Sequence, residues 1–282
     1  MEMETKMEIR YSADIVRYKT MTNKELRDTF VVSTLWTPDE VPLVYSDIDR
    51  GVIGSAVPVS KTLEIPTHKD LASDYFAQRR EVGVINIGGH GAIEVDGKSY
   101  DMENLDSLYI GRESKGIKFS SVDGKKPAKF YFVSYPAHLR YETQHIKKSQ
   151  ANQIKLGAQE TSNKRIIFQP IHPSIVTTCQ IVMGFTILES GNVWNTFPPH
   201  THKRRSEFYM YFDLPEDQRV FHFMGEADNM RPMIMKAGEV ALSPIWSMHC
   251  GAGTSSYTFI WSMGGENQVF DDMDHIDQTK IG

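Results

Sequence analysis

The chain has 282 residues, of which 40% are hydrophobic and 24% charged, a composition typical of a globular protein with its own core. A formal net charge of -5 gives no general attraction to nucleic acid or anionic lipid. No apolar run is long enough to span a bilayer, and the charged N-terminus lacks the apolar segment of a signal peptide. The two cysteines form no CxxC pair, which argues against a disulfide framework. We therefore expect a cytoplasmic protein without nucleic-acid or membrane partners.

The first predicted element is a short helix over residues 21–32, MTNKELRDTFVV, capped by Thr22 or Asn23. Residues 1–42 are assigned to an N-terminal arm around it. From Leu43 onward, runs rich in Val, Ile, Tyr and Phe alternate with Gly, Pro, Asp and Asn, as β-strands and their turns do. Such runs are EVGVINI (81–87), GAIEVDGKSYDM (91–102), SLYIG (107–111), KFYFVSYP (129–136) and YTFIWSM (257–263). The predicted fold class is all-β (mainly β), a sandwich or barrel.

Turn and linker signals divide the chain further. The Asp96-Gly97 pair predicts a tight hairpin turn, because such a turn needs positive φ. The polar stretch 146–165 predicts a connection between two halves, residues 43–145 and 166–282. RRE (79–81) and RRSE (204–207) each precede a β run, which suggests an internal duplication. Two unrelated β domains share such short patterns by chance, so the duplication is a hypothesis.

The stretch HTHKRRSE contains the first candidate functional residues. His200 and His202 are two residues apart, so on a strand they point to the same face. Glu207 joins them if residues 203–206 turn the chain into an antiparallel hairpin. The alternative for an isolated HxH pair is a polar strand end with two solvated histidines.

A second stretch, AGEVALSPIWSMHCGAG (237–253), favours the metal interpretation. The spacing Gly238–x5–Pro244–x4–His249 resembles the second motif of the cupin superfamily, and HxH–x4–Glu resembles the first. The resemblance implies a double-stranded β-helix barrel whose metal ligands are His200, His202, Glu207 and His249. Three imidazoles and one carboxylate suit zinc, manganese, iron or nickel. The first half has neither motif and is expected to be a cupin-like half without metal ligands.

Longer stretches are similar to the 4-deoxy-L-threo-5-hexosulose-uronate ketol-isomerases, also called 5-keto-4-deoxyuronate isomerases. They are VYSDIDRGVIG (44–54), YFAQRREVGVINIGG (75–89), TSNKRIIF (161–168), WNTFPPHTHKRRSE (194–207) and YTFIWSMGGENQVFDDMD (257–274). The resemblance implies two cupin-like barrels and one zinc ion per chain, bound in the second half. It also implies a homohexamer. The implied reaction converts 5-dehydro-4-deoxy-D-glucuronate to 3-deoxy-D-glycero-2,5-hexodiulosonate in the breakdown of pectin and other polyuronates.

The substrate carboxylate and the proton transfer call for further residues. Arg204, Arg205 or Lys203 could bind the carboxylate, and the alternative is a solvated turn. A general base must move a proton between adjacent carbons unless hydride shifts instead, and the sequence leaves both routes open. The candidates for this base are Glu239, Gln268, Asp271, Asp272, Tyr209 and Tyr211, and none of them is assigned. His222 is a candidate for a group that supports the ligands.

Three other functions compete with this one. A 5-deoxy-glucuronate isomerase of inositol catabolism would share the fold and the metal, and a substrate panel would separate the two. A metal-dependent dioxygenase would consume oxygen with its substrate. A non-catalytic sugar-binding cupin would tolerate the loss of ligands, whereas the four-residue set is complete here.

Overall fold

A computed structural model of the chain describes residues 7–282, so the first six residues of the predicted N-terminal arm lie outside the described part. Within residues 7–282, two short α-helices, six 3-10 turns of three residues each and 23 strands make up the regular structure, which confirms the mainly-β prediction. No helix between residues 7 and 282 has the length and apolarity needed to cross a bilayer.

The helices and strands have the following bounds. The helices are α1 (Ile15–Tyr18) and α2 (Asn23–Phe30). The strands before the middle of the chain are β1 (Met7–Arg10), β2 (Val31–Val32), β3 (Leu43–Ser46), β4 (Val52–Ala56), β5 (Leu63–Glu64), β6 (Arg80–Asn86), β7 (Gly91–Val95), β8 (Lys98–Met102), β9 (Ser107–Ile110), β10 (Ile117–Ser121), β11 (Phe130–Pro136) and β12 (Gln144–Ile146). The later strands are β13 (Asn152–Leu156), β14 (Arg165–Ile171), β15 (Val182–Leu188), β16 (Trp194–Thr201), β17 (Arg205–Phe212), β18 (Val220–Glu226), β19 (Asn229–Met235), β20 (Val240–Ser243), β21 (Met248–Gly253), β22 (Thr258–Gly265) and β23 (Asp274–His275).

The predicted helix is present, but it is shorter at its C-terminal end than predicted. Thr22 caps α2, accepting a hydrogen bond from the Glu25 backbone N–H while the Glu25 carboxylate accepts one from the Thr22 N–H. The prediction was wrong for residues 31 and 32, which form β2 and pair with β20. Two consecutive β-branched valines favour the extended backbone once a strand edge is available to pair with.

The Asp96-Gly97 hairpin is confirmed. Val95 of β7 pairs with Lys98 of β8, so the loop contains two residues only. Both have positive φ, 50° for Asp96 and 83° for Gly97, as a primed turn requires.

The chain divides into two compact units. The first contains residues up to Arg10, Thr34–Asn152 and Pro170–Ile181; the second contains Tyr11–Ser33, Gln153–Gln169 and Val182–Gly282. Most of the N-terminal helical segment, which the sequence analysis assigned to an arm, thus clusters with the second unit. The polar connection contributes a strand of its own, β13, which joins β14.

Each unit contains one larger and one smaller sheet, and nine strands repeat in the same order. In the first unit the orders are β1-β3-β4-β11-β6-β9-β12 and β5-β10-β7-β8. In the second they are β13-β14-β15-β22-β17-β20-β2 and β19-β18-β21-β16-β23. Each of the strands β3–β11 corresponds to the strand numbered eleven higher, from β14 to β22. The corresponding strands have the same neighbours in both sheets. This shared topology supports the internal duplication suggested by the sequence.

The two cores differ in composition. In the first unit, Val82 and Val84 of the larger sheet share an apolar cluster with Ile93 and Phe119 of the smaller sheet. In the second unit, the apolar cluster includes Leu26 and Phe30 of α2, together with aromatic residues of β17 and β22. Polar side chains also enter the interior of the second unit, where they form the candidate site.

Candidate metal centre

His200 and His249 come from neighbouring antiparallel strands. His200 lies near the end of β16 and His249 in β21, and the two residues are direct partners across the ladder. A directly opposite pair places both side chains on the same face of the sheet. Their ring centroids are 5.0 Å apart. The register is irregular between Asn195 and His200, where two consecutive prolines interrupt the pairing.

Glu207 reaches the site from the other sheet. β17 pairs with β20 and β22 in the seven-stranded sheet, whereas β16 belongs to the five-stranded sheet. The predicted hairpin between the HxH pair and Glu207 is therefore wrong, because the residues between them carry the chain from one sheet to the other. Alternation along β17 places Glu207 on the same face as Tyr209 and Tyr211, and both tyrosines belong to the apolar core.

The four side chains converge in the interior. His200, His202, Glu207 and His249 each offer one ligand atom, and these atoms lie within 4.8 Å of one another. The four residues are between 1% and 7% exposed. The Glu207 Oε2 atom lies 3.0 Å from His202 Nε2 and 2.9 Å from His249 Nε2. The structure therefore brings together every residue of the predicted ligand set.

The tautomer of His202 follows from its backbone contact. Its Nδ1 lies 2.7 Å from the carbonyl oxygen of Arg205, so this nitrogen carries a hydrogen and donates a hydrogen bond to that oxygen. In the neutral ring Nε2 is then a lone-pair acceptor that faces the Glu207 carboxylate. A backbone carbonyl that fixes the outer nitrogen of a histidine is a common support of metal ligands.

Burial and mutual charge determine the protonation of the cluster. Burial, reinforced by the neighbouring His249, lowers the pKa of His200 to about 2, so that imidazole is neutral. Burial would raise the pKa of Glu207, but the charges and hydrogen bonds of His249 and His202 outweigh it and hold that pKa well below its usual range. Burial would also lower the pKa of His202, yet the Glu207 carboxylate raises it, because the protonated ring can donate a hydrogen bond to that carboxylate.

The unpaired nitrogens test whether a metal ion suits these residues. The Nδ1 atom of His249 is buried without a hydrogen-bond partner among residues 7–282, and its Nε2 atom is buried against the Glu207 carboxylate. A buried polar atom without a partner costs about 1–3 kcal/mol. Imidazole nitrogens that lie 2.9 and 3.0 Å from a carboxylate oxygen need a proton or a metal ion between the two atoms. Three nitrogen donors and one oxygen donor satisfy this need for a divalent transition ion.

The cluster opens into a cavity of about 300 Å³ within the second unit. His200 and Glu207 line it on the side of the candidate ligands. The walls combine aromatic and polar groups: Leu156, Arg165, Ile167, Thr186, Thr196, Phe197, Pro198, Tyr209, Phe259, Trp261, Met263, Phe270, Asp271, Met273 and His275. A concave, mainly apolar site with a few polar groups is typical of small-molecule binding.

The arginines proposed for substrate binding point elsewhere. Arg204 donates hydrogen bonds from Nε and Nη2 to the carboxylate of Asp272. Arg205 is fully buried and donates to the Asp272 carbonyl oxygen at 3.1 Å. Neither residue lines the cavity, because each guanidinium is engaged by the C-terminal segment that follows β22. Their assignment as carboxylate-binding residues is therefore not supported by the positions of their side chains.

Two of the candidate bases line the cavity and the others do not. Tyr209 and Asp271 are lining residues. The Tyr209 hydroxyl lies 3.3 Å from that of Thr196, and burial, with the nearby Glu207 carboxylate, raises the pKa of Tyr209 well above its usual value. The remaining candidates, Tyr211, Glu239, Gln268 and Asp272, lie outside the lining. Glu239 forms an ion pair with Arg27.

His222 lies behind the cluster. It is fully buried, and its Nδ1 shares a hydrogen bond of 2.7 Å with the Tyr211 hydroxyl. Its ring faces that of Tyr209 at a centroid distance of 5.4 Å. His222 therefore packs against the tyrosines of β17, as expected of a group that supports the site.

Sequence reasoning missed two titratable lining residues, Arg165 and His275. His275 in β23 pairs with His200 and lines the cavity, but the sequence analysis gave it no role. Arg165, at the start of β14, received no role. A signal existed for Arg165, since it lies in TSNKRIIF, one of the stretches with family resemblance. A separate exposed grouping, His90 with Asp101 and Glu103, lies in the first unit, and exposed acidic groups of this kind are common without a metal.

Comparison with known proteins identifies the family of this chain. The KduI/IolB family pattern matches residues 39–278. The chain belongs to the KduI/IolB family. A 4-deoxy-L-threo-5-hexosulose-uronate ketol-isomerase of Lachnoclostridium phytofermentans is 49% identical over 271 residues, covering 96% of this chain and 98% of the relative. A protein of the same name from Formosa agariphila is 47% identical over 279 residues, covering 99% and 100%.

Solved structures of other proteins share the fold of this KduI/IolB member. An IolB-like protein from Salmonella typhimurium has a TM-score of 0.65 at 11% identity, covering 85% of this chain and 94% of that one. Oxalate decarboxylase of Bacillus subtilis, described with Mn(II) centres, has a TM-score of 0.53 at 11% identity, covering 77% and 69%. At this identity the likeness concerns the fold alone, and it confirms the predicted cupin-type architecture.

Proposed function

We propose that this protein is a metal-dependent ketol-isomerase that converts 5-dehydro-4-deoxy-D-glucuronate to 3-deoxy-D-glycero-2,5-hexodiulosonate in the breakdown of pectin and other polyuronates. The observation that carries the proposal is the buried cluster of His200, His202, Glu207 and His249 beside a cavity of sugar size. Relatives that share nearly half of its residues over almost the whole chain carry the name of this isomerase. Geometry and relatedness thus support the same reaction class.

The metal proposed for the site is zinc, one ion per chain, held by the four clustered residues. Three imidazole nitrogens and one carboxylate oxygen form a donor set that zinc accepts readily, and one or two positions remain for water or substrate. The site is assigned to the second half, residues 166–282, while the first half, residues 43–145, is proposed to bind no metal. The apolar cluster that fills the interior of the first unit supports that division.

The reaction exchanges the positions of a carbonyl and a hydroxyl on adjacent carbons. A divalent ion, when bound, supplies Lewis acidity to the two oxygens of that pair. The Tyr209 hydroxyl keeps its proton at neutral pH and can donate a hydrogen bond to a sugar oxygen in the cavity. Asp271 offers a carboxylate that can accept a proton from one carbon and return it to its neighbour. The apolar walls, including Phe259 and Trp261, exclude bulk water from these groups.

The assembly and location follow from the family resemblance. We propose a homohexamer, which light scattering on the purified protein would test. We also propose a cytoplasmic location. Cys179 and Cys250 are both free thiols, which suits a reducing compartment.

The experiment that tests the function measures turnover of the keto-deoxyuronate released from unsaturated digalacturonate, with metal content assayed on the same sample. Turnover with about one metal per chain supports the proposal. Chelation should remove both the metal and the activity, and added zinc should restore both. A parallel assay with 5-deoxy-glucuronate separates this function from the related isomerase of inositol catabolism. Turnover that survives complete loss of metal would refute the proposed mechanism.

A further inference from the structure

The candidate cavity contains a single permanent cation. Among its described lining residues, Arg165 is the one arginine or lysine. Arg165 opens β14, and alternation along this strand places it on the same face as Ile167, which also lines the cavity. The guanidinium therefore enters the cavity from the larger sheet of the second unit, the sheet that also carries Glu207.

Arg165 differs from Arg204 because no carboxylate neutralises its charge. Its Nη1 donates a hydrogen bond to the Asn163 carbonyl oxygen at 2.8 Å. No ion pair joins this guanidinium to a carboxylate among residues 7–282, and the titratable groups that influence it are tyrosines. Arg204, by contrast, is paired with two aspartates. A half-buried guanidinium with several free N–H donors and no counter-ion is suited to bind an anion.

The proposed substrate supplies such an anion. A uronate differs from the neutral sugar by a carboxylate at the end of the chain opposite its aldehyde. We propose that Arg165 binds this carboxylate and is the residue that selects uronates over neutral sugars, an inference that rests on the proposed function. The reacting end of the sugar would then lie toward His200 and Glu207, which line the same cavity.

The environment of Arg165 strengthens this interaction. Phe259 and Trp261 line the cavity with it and lower the local dielectric. A planar guanidinium can hold both carboxylate oxygens at once, which fixes the orientation of the sugar as well as its affinity. A lysine at this position would keep the charge and lose the two-point contact.

The test compares Arg165→Met and Arg165→Lys with the wild type on two sugars, the uronate and its counterpart with CH2OH in place of the carboxylate. For Arg165→Met, kcat/KM on the uronate should fall roughly 10–100-fold, the loss expected for a hydrogen bond between charged groups. Activity on the neutral sugar should fall less than activity on the uronate, because only the uronate carries the carboxylate that Arg165 binds. Arg165→Lys should lie between the wild type and Arg165→Met. Lys164→Met is the matched control, since Lys164 is adjacent and pairs with Glu189 outside the cavity.

A binding measurement keeps this test independent of turnover. The methyl glycosides of D-galacturonate and D-galactose cannot isomerise, and calorimetry gives their dissociation constants. Wild type should prefer the acid, and Arg165→Met should lose that preference while retaining its metal and its melting temperature. A preference that persists in Arg165→Met, or no preference in the wild type, would overturn the role of Arg165. If Arg165→Met loses the preference but the wild type shows no isomerase turnover, the role of Arg165 in carboxylate binding is supported and the proposed reaction is refuted.

Discussion

A buried glutamate lies near the start of the corresponding strand in both units, yet the two carboxylates have different surroundings. Glu81 in β6 accepts hydrogen bonds from the Tyr109 hydroxyl and from the backbone N–H groups of residues 179, 180 and 181. Glu207 in β17 instead meets the ring nitrogens of His202 and His249. The first carboxylate is saturated by neutral donors, whereas the second faces the nitrogens of two candidate metal ligands.

The parity of the strand explains this difference. In β6, Val82 and Val84 face the apolar core, so Glu81 points to the opposite face of the sheet. In β17, Glu207 shares the inward face with Tyr209 and Tyr211. A shift of one residue relative to the core therefore decides whether a buried glutamate anchors a loop or enters the interior. Similar topology and a similar residue do not by themselves make a metal site.

The strongest test of this comparison removes a proposed ligand from the second unit. His249→Ala should abolish metal binding. It should also lower kcat/KM by more than roughly 10–100-fold, which is the loss expected when a residue that only supports a metal ligand is removed. Metal analysis by mass spectrometry and steady-state kinetics on the same preparation give both values. Phe119→Leu, on the corresponding strand β10 of the first unit, is the control and should retain its metal. Equal metal loss in both variants would contradict the assignment.

Replacing the saturated glutamate should affect stability rather than metal. Glu81→Gln puts an N–H donor where backbone N–H donors point, so the free energy of unfolding should fall by about 2–3 kcal/mol. Urea denaturation followed by fluorescence measures this change, with metal content checked separately. Glu94→Gln is the control, because Glu94 is partly exposed and pairs with Lys118 at the surface. A loss of metal in Glu81→Gln would show that the two carboxylates are not functionally separate.

Acid should destabilise the second unit before the first. Burial lowers the pKa of His222 to about 3, whereas a histidine of the unfolded chain titrates near 6.5. As the pH falls below about 6.5, His222 becomes protonated in the unfolded chain but stays neutral in the folded protein. The free energy of unfolding therefore falls progressively toward pH 3. The most buried histidine of the first unit, His68, is still 9% exposed.

Hydrogen exchange of metal-free protein at pH 7 and pH 4.5 checks this order, since peptides from each unit report separately. Peptides of the second unit should lose protection first on acidification. His222→Gln should reduce the difference between the two pH values. Earlier loss of protection in the first unit would mean that groups other than His222 dominate acid unfolding.

The smallest expected effect concerns the N-terminal helix, which clusters with the second unit. Thr22→Ala removes the cap of α2 and should lower stability by about 1 kcal/mol. Hydrogen exchange should locate the loss in the second unit, because Leu26 and Phe30 of α2 belong to its core. Thr29→Ala, within the same helix, is the control and should be neutral or slightly stabilising.

The sequence by itself determined much of this protein. Local patterns identified the strands, because alternation and turn residues act over a few positions, and the Asp96-Gly97 turn is the clearest case. Motif spacing identified His200, His202, Glu207 and His249 as a set, and longer stretches pointed to the family that the comparisons confirmed. These properties are either local or carried over by resemblance.

Only the tertiary structure decided how the set is assembled. The pairing of His200 with His249 and the separation of β16 and β17 into different sheets depend on contacts between distant residues. The same is true of the charged groups: Arg204 and Arg205 are close to the ligands in sequence, yet the C-terminal segment engages both. Arg165, more than thirty residues away from His200, is the one that lines the cavity. Proximity to the ligands in the sequence does not predict which side chains line the cavity, because two sheets bring residues from distant parts of the chain to the same interior.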